Sequence, residues 1–162
     1  MSGHTDNEIV IDAPVEVVWE EANNLTQWPV LFAEEYDRVD VLDQSGGRVT
    51  FRITTKPQED GRQYSWVSER VPDAARHQVI ARRIETGPFR YMHIVHAFSA
   101  AGNGGGTTVR WVQDFEMRPG APFTDDQMAA RINRGSAANL ARHKEVIEEH
   151  WRETQRKEKT GG

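Results

Sequence analysis

From Pro122 to about Lys157 the chain reads as one long amphipathic helix, the only stretch long enough to act as the spine of a small domain. Met128, Ile132, Gly135, Ser136, Asn139, Leu140, His143, Val146, Ile147, His150 and Trp151 recur at steps of three and four, the helical period. Thr124, with Asp125 and Asp126, supplies a capping side chain and negative charge at the positive end of the helix dipole. The inner stripe is not apolar throughout. Gly135, Ser136 and Asn139 interrupt it between the patches around Met128/Ile132 and Val146/Ile147/Trp151, so the helix is expected to cover something other than a fully packed core. The plain alternative is a tolerated mid-helix glycine, which costs ~1 kcal/mol against alanine.

Ahead of that helix the period changes twice. Glu8 to Asp12 alternates around Ile9 and Ile11 as a first strand, and Ala13-Pro14 opens a short helix whose inner face is Val15, Val18, Trp19 and Ala22, ending near Asn23-Asn24. Trp28-Pro29 and Leu31-Phe32 predict a second short helix within 25–36. From Val39 the period is two. Six strands are expected, Val39 to Leu42, Gly47 to Lys56, Gly61 to Val71, His77 to Thr86, Pro88 to Ser99 and Thr107 to Arg118, separated by glycine- and proline-rich turns. Short links between consecutive strands require antiparallel pairing. The chain is therefore expected to be one α+β domain over 1–162, a curved antiparallel sheet of seven strands gripping the last helix, with a flexible tail over about 158–162.

Composition excludes several classes. With 162 residues the chain has room for one real core. It has no cysteine, which rules out disulfides and thiolate chemistry. A formal charge of −5 without a concentrated basic stretch argues against nucleic acid. No long apolar run and no signal-like segment over Met1 to Glu8 are present, so no membrane and a cytoplasmic location are expected. His93 and His96, three apart on a strand, point oppositely, and no metal site is expected.

Alternation sorts the strand faces. Val109, Trp111, Gln113, Phe115 and Met117 must point inward, as must Val49, Phe51, Ile53 and Thr55, and Met92, Ile94, His96 and Phe98. Over 77–86 the sets Val79/Ala81/Arg83/Glu85 and Ile80/Arg82/Ile84 compete. Over 63–71 the aromatics Tyr64 and Trp66 choose the core side, and period two carries Ser68 and Arg70 in with them. A buried guanidinium costs several kcal/mol unless it is paired and hydrogen-bonded. Arg70 must therefore meet a carboxylate, with Glu85, Glu34 or Glu35 available, or line a wet cavity; the alternative is that it snorkels from the strand end. Gly135, Ser136 and Asn139 on the helix would leave the same volume unfilled and polar, the pattern of a concave site with a few convergent polar groups.

The blocks Trp28-Pro29, Trp66 to Asp73, Glu85 to Phe89 with Tyr91-Met92, Arg110 to Gln113 and Pro119 to Phe123 closely resemble the single-domain aromatase/cyclases of bacterial type II polyketide synthases, most of all the tetracenomycin and spore-pigment members. The resemblance runs from about Thr5 to Arg156. It implies the helix-grip fold of the START and Bet v 1-like superfamily. It also implies a linear poly-β-ketone substrate on an acyl carrier protein, handed on by a ketosynthase, with first-ring aldol closure and dehydration and no cofactor.

Carried over by position, the family's pocket falls on Trp28, Phe32, Tyr36, Trp66, Ser68, Arg70, Arg83, Glu85, Met92, Trp111 and Asn139, with Arg70, Tyr36 and Ser68 as the reacting groups. The chain departs from the family twice. An extra residue in 33–36 leaves Glu34 or Glu35 for the pocket glutamate, with Glu35 the candidate, and His96 stands where the family has tryptophan. Arg70 would polarise the acceptor carbonyl and hold the enolate, Tyr36 would protonate the new alkoxide, and Ser68 would hold a water or a ketone. Lys56, Arg90, Arg131 and Arg134 are candidates for a basic rim facing an acidic carrier, and a solvated face is the alternative for each. The competing functions are a non-catalytic carrier of an aromatic or lipid-like ligand and an interaction module, since fold does not fix function.

Overall fold

A computed structural model describes residues 2–102 and 104–160. The strands are β1 (Gly3–Ile11), β2 (Tyr36–Ser45), β3 (Arg48–Thr55), β4 (Ser65–Asp73), β5 (Gln78–Arg83), β6 (Phe89–Ala100) and β7 (Thr107–Met117). Two helices, α1 (Val15–Ala22) and α2 (Trp28–Leu31), follow β1, and α3 (Asp125–Thr160) closes the chain. The sheet order is β1-β7-β6-β5-β4-β3-β2, antiparallel throughout. β2 to β7 thus form a meander, and β1 returns to pair with β7.

Thr124 caps α3 as its sequence position predicts. Its Oγ1 accepts from the Gln127 amide at 3.1 Å, while Gln127 Oε1 accepts from the Thr124 amide at 2.9 Å. The two bonds together form a reciprocal capping box. Asp125 adds a tie to the sheet by accepting from the Met117 amide at 2.8 Å. The helix runs on through Thr160, so positions 158–160 of the expected tail are helical; 161–162 lie outside the described residues.

Several boundaries differ from the sequence reading. β1 starts at Gly3 because its inner positions there, Gly3, Thr5 and Asn7, are small or polar and give no hydrophobic alternation. A Cβ on Gly3 would lie 2.3 Å from the Phe115 ring, so only glycine fits at that crossing. The second helix stops at Leu31, and β2 begins at Tyr36, three residues early, through a bulge between Tyr36 and Arg38. Tyr64 precedes β4 and is exposed, bonded to Asp60 in the preceding turn, so it does not join Trp66 inside.

The remaining faces follow parity. Val79 and Ala81 are buried and Ile80 is 63% exposed, which settles the β5 alternatives. The core itself is in two parts. A large cluster under α1 and α2 includes Ile11, Val18, Leu31, Phe51, Trp111 and Ile147. A smaller one holds Phe89, Met92, Phe115, Met117 and Met128. On β7 the division falls at Gln113, and on α3 it falls at Gly135, Ser136 and Asn139.

Candidate functional site

The polar break predicted in α3 is real and lies against the polar break in β7. Gln113 Nε2 donates to Ser136 Oγ at 3.3 Å, and Asn139 Nδ2 donates to Glu35 Oε2 at 2.8 Å. Ser136 and Asn139 are buried. These bonds run to Gln113 and Glu35 instead of to Ser68 or Arg70, the partners expected from sequence. Of the two glutamates, Glu35 is the one drawn inward, since Phe32 and Glu35 close a tight turn after α2 and β2 departs from Tyr36. Burial raises the Glu35 carboxyl above its ordinary value, with the Asn139 bond and the charge of Arg131 opposing it.

Arg70 is 1% exposed. No carboxylate among the three expected partners neutralises it; Nη2 donates to Asn23 Oδ1 at 2.7 Å, and its carbon Cζ stands 4.9 Å over the Trp28 ring. Asn23 is held for this by its own bond to the Trp19 carbonyl, 2.8 Å, at the end of α1. Among the described residues the buried Arg70 Nε has no hydrogen-bond partner. Burial lowers the guanidinium to about 10, with the nearby Tyr36 opposing, so it stays a cation at neutral pH. An unneutralised buried cation is a standing capacity to bind a developing anion.

Around it the aromatics form an ordered stack. Tyr36 lies on Phe32 at 4.5 Å and 22°, Phe32 on Trp111 at 5.6 Å and 15°, and Trp111 on His96 at 5.2 Å and 23°. Trp28 packs on Phe32 and Tyr36, and Trp66 meets Tyr36 edge-on at 6.2 Å. Burial and the neighbouring Glu35 push the Tyr36 phenol up. His96 is held well below its ordinary value by burial, then by Arg70 and His143. Ser68 is buried on the same face of β4 as Arg70.

Arg83 extends over Trp66 at 4.4 Å and Phe89 at 5.2 Å, and burial lowers it to about 10, opposed by Tyr36 and Glu85. Met92 belongs to the small cluster. Glu85 does not follow the inward parity. β5 ends at Arg83, the Ile84 and Glu85 amides both donate to the Val67 carbonyl, and this doubling turns Glu85 outward onto Arg52 Nη1 at 3.0 Å. The interior chamber bounded by Trp28, Phe32, His96, Phe98, Trp111 and His143 measures about 10 Å³. That is room for about one water, not for the folded chain expected from sequence. The ring stack is what fills it.

Three further residues shape the site. Asn23 was legible only as a helix end, Gln113 only as an inward residue, and His143 only as part of the helix stripe. His143 Nδ1 donates to the Asn139 carbonyl at 2.6 Å, and its ring stands edge-on to Phe32 and Trp111. Of the candidate rim, Arg90 pairs with Glu116 at 3.2 Å and Arg131 lies over the Phe123 ring at 5.1 Å. Lys56 and Arg134 are exposed. Among the described residues no group of His, Asp and Glu is arranged to hold a metal, and no helix is long and apolar enough to cross a membrane.

Fold and site together define a helix-grip protein with a buried cation and an aromatic wall inside the grip. The profile of the polyketide cyclase/dehydrase and lipid transport family matches residues 2–148, and the chain belongs to that family. A protein of Streptomyces cyaneus named "Putative polyketide cyclase" is 48% identical over 149 residues, covering 92% of this chain and 96% of that one. One of the same name from Streptomyces halstedii is 46% identical over 112 residues, 69% of this chain and 100% of that one. The crystal structure of the Zhui aromatase/cyclase from Streptomyces sp. R1128 superposes with a TM-score of 0.80 at 21% identity, over 91% of this chain and 94% of that one. The last likeness bears on the fold.

Proposed function

We propose that this chain binds a linear poly-β-ketone carried on an acyl carrier protein and closes its first ring by aldol addition and dehydration. The observation that carries the reading is Arg70, sealed from solvent, paired with no carboxylate among the described residues, and set beside Tyr36. A 1,3-diketone already has acidic methylenes. The protein has to fold the chain, exclude water and stabilise charge growing on oxygen. Arg70 would draw the acceptor carbonyl toward itself and take the growing alkoxide charge. Tyr36, kept protonated by burial, would deliver its proton to that alkoxide and assist its loss as water. Trp28, Phe32, Trp66, Trp111 and Met92 would set where the chain bends, with Ser68, Arg83, Glu35, His96 and Asn139 meeting its oxygens.

A substrate of that length has to part the present packing. The polar seam formed by Gln113, Ser136, Asn139 and Glu35 favours opening there, because water or a ketone can replace its hydrogen bonds. Arg70→Ala, added to a minimal synthase of defined chain length, should abolish the correctly cyclised product while the fold is retained. Unchanged product and yield in that variant would sink this reading. The family's description also includes lipid transport. Tight binding of finished product with no acceleration of ring closure would make the chain a carrier instead.

A further inference from the structure

The proposed reaction, on which this inference rests, leaves one role unfilled: Arg70 and Tyr36 serve the acceptor oxygen, and nothing yet takes the proton that the donor carbon's enol must lose. His143 is placed for it. The ring sits on the buried face of α3, 3% exposed, and forms part of the wall of the chamber with His96, Phe32 and Trp111. Its orientation is fixed on three sides, by the 2.6 Å bond from Nδ1 to the Asn139 carbonyl and by edge-on contacts to Phe32 at 4.8 Å and Trp111 at 5.2 Å.

The bond to Asn139 decides the tautomer. A backbone carbonyl only accepts, so Nδ1 carries the hydrogen and Nε2 carries the lone pair. A neutral imidazole in that form accepts from an O–H at Nε2 and has nothing to offer a ketone oxygen. It therefore distinguishes the enol of a 1,3-diketone from its keto form. Placing such a ring in the wall of a chamber also lined by Ile11, Val18, Phe98 and Val109 costs free energy that a leucine would not, which marks the position as one where chemistry overrides packing.

We propose that His143 Nε2 is the general base of ring closure, accepting the enol hydroxyl of the donor unit and taking its proton as the carbon–carbon bond forms. The enol π pair becomes the new bond to the acceptor carbon, the enol C–O becomes a carbonyl, and its proton passes to Nε2. The acceptor C=O pair moves to oxygen and is protonated by Tyr36. Loss of a second methylene proton with the hydroxyl then releases one water, and the imidazolium proton returns to the Tyr36 oxygen. Burial holds the imidazole down to about 4. So weak a base leaves a resting enol intact, yet it suits an oxygen that is turning into a protonated carbonyl and is far more acidic than the enol itself.

The test uses the full chain and a carrier-bound linear poly-β-ketone of defined length, following first-ring product against cyclase concentration. His143→Leu is expected to lower the saturating rate about a hundredfold, leave the half-saturating concentration unchanged, and melt no earlier than the parent. A residue with a packing role alone would lower the melting temperature and spare the rate. His143→Gln keeps an acceptor for the hydroxyl but cannot carry the proton, so the ring pattern should persist at the reduced rate. Parental rate in a folded Leu variant overturns the proposal; if that variant does not fold, parental rate in the Gln variant does. Arg70→Ala run in parallel separates the two claims. Loss of product there with no effect at His143 removes this inference alone, whereas no effect in either removes the cyclase reading.

Discussion

The two ends of the core treat their cations and rings differently. Under α1 and α2, rigid rings and branched aliphatics seal Arg70, whose counterparts are an amide oxygen and the face of Trp28. At the other end three methionines, Met92, Met117 and Met128, pack with Phe89 and Phe115, Arg131 lies on the Phe123 face exposed to water, and Arg83 spans the two ends, over Trp66 of the first and Phe89 of the second. Methionine has an unbranched, adaptable side chain, so the small cluster can repack where the large one cannot. The difference teaches where each task sits. The stiff end holds a charge at fixed geometry, the soft end can repack, and the seam at Gln113 and Ser136 is where one gives way to the other.

That contrast breaks hardest at Phe115. It is fully buried and touches Phe89 at 5.8 Å, so Phe115→Ala should cost ~3–5 kcal/mol, read as a fall in the urea midpoint. A loss under 2 kcal/mol would show that the methionines collapse into the space, and would sharpen the view of this end as deformable. Gly3→Ala, pressed against the same ring, should be tolerated better in a Phe115→Leu background than in the parent.

Acid is expected to act on the stiff end. His143 has its folded value lowered to about 4 from 6.5, so the unfolded chain takes up the proton first as pH falls. The parent therefore carries no such penalty above 6.5 and loses stability as pH drops toward 4, by ~3 kcal/mol in all. Urea midpoints measured from pH 7.5 to 4.5 should fall in the parent and fall less in His143→Leu. Equal slopes would mean that the imidazole is not sealed.

Arg70→Met tests whether the sealed charge serves stability or function. Replacing buried ionic groups by apolar ones of similar volume is often neutral or stabilising by ~1–4 kcal/mol. The variant should melt at or above the parent temperature and make no cyclised product. A lower melting temperature would show that the bond to Asn23 outweighs desolvation.

The fold was open to sequence reading because period and punctuation agree: seven strands, the gripping helix, its Thr124 cap and the inward faces of β3, β6 and β7 follow from alternation and turn residues. The inward course of Ser68 and Arg70 followed in the same way, from Trp66 through period two. What period could not carry was register. Glu85 was projected inward because nothing in the residues announces that β5 ends at Arg83 and that two amides share the Val67 carbonyl. Asn23 meets Arg70 only across 47 positions of chain, and the closeness of the ring stack depends on rotamers that a one-dimensional pattern does not contain.

The smallest expected effect bears on the seam, and it separates two explanations of the same residue. Gly135 interrupts the inner stripe of α3, yet among the described residues an added Cβ there meets nothing within 4 Å. No close approach of backbone or side chain demands a glycine, unlike at Gly3. Gly135→Ala should therefore gain the helix-propensity difference, ~1 kcal/mol at most, as a rise in melting temperature. If the product pattern is unchanged, the glycine is merely tolerated and the seam begins at Ser136. If the extra stability arrives with a shifted ring pattern or a lowered yield, the methyl group has entered space that the substrate uses. The division between the stiff and soft ends then has a functional boundary one residue wide, set by the absence of a single carbon.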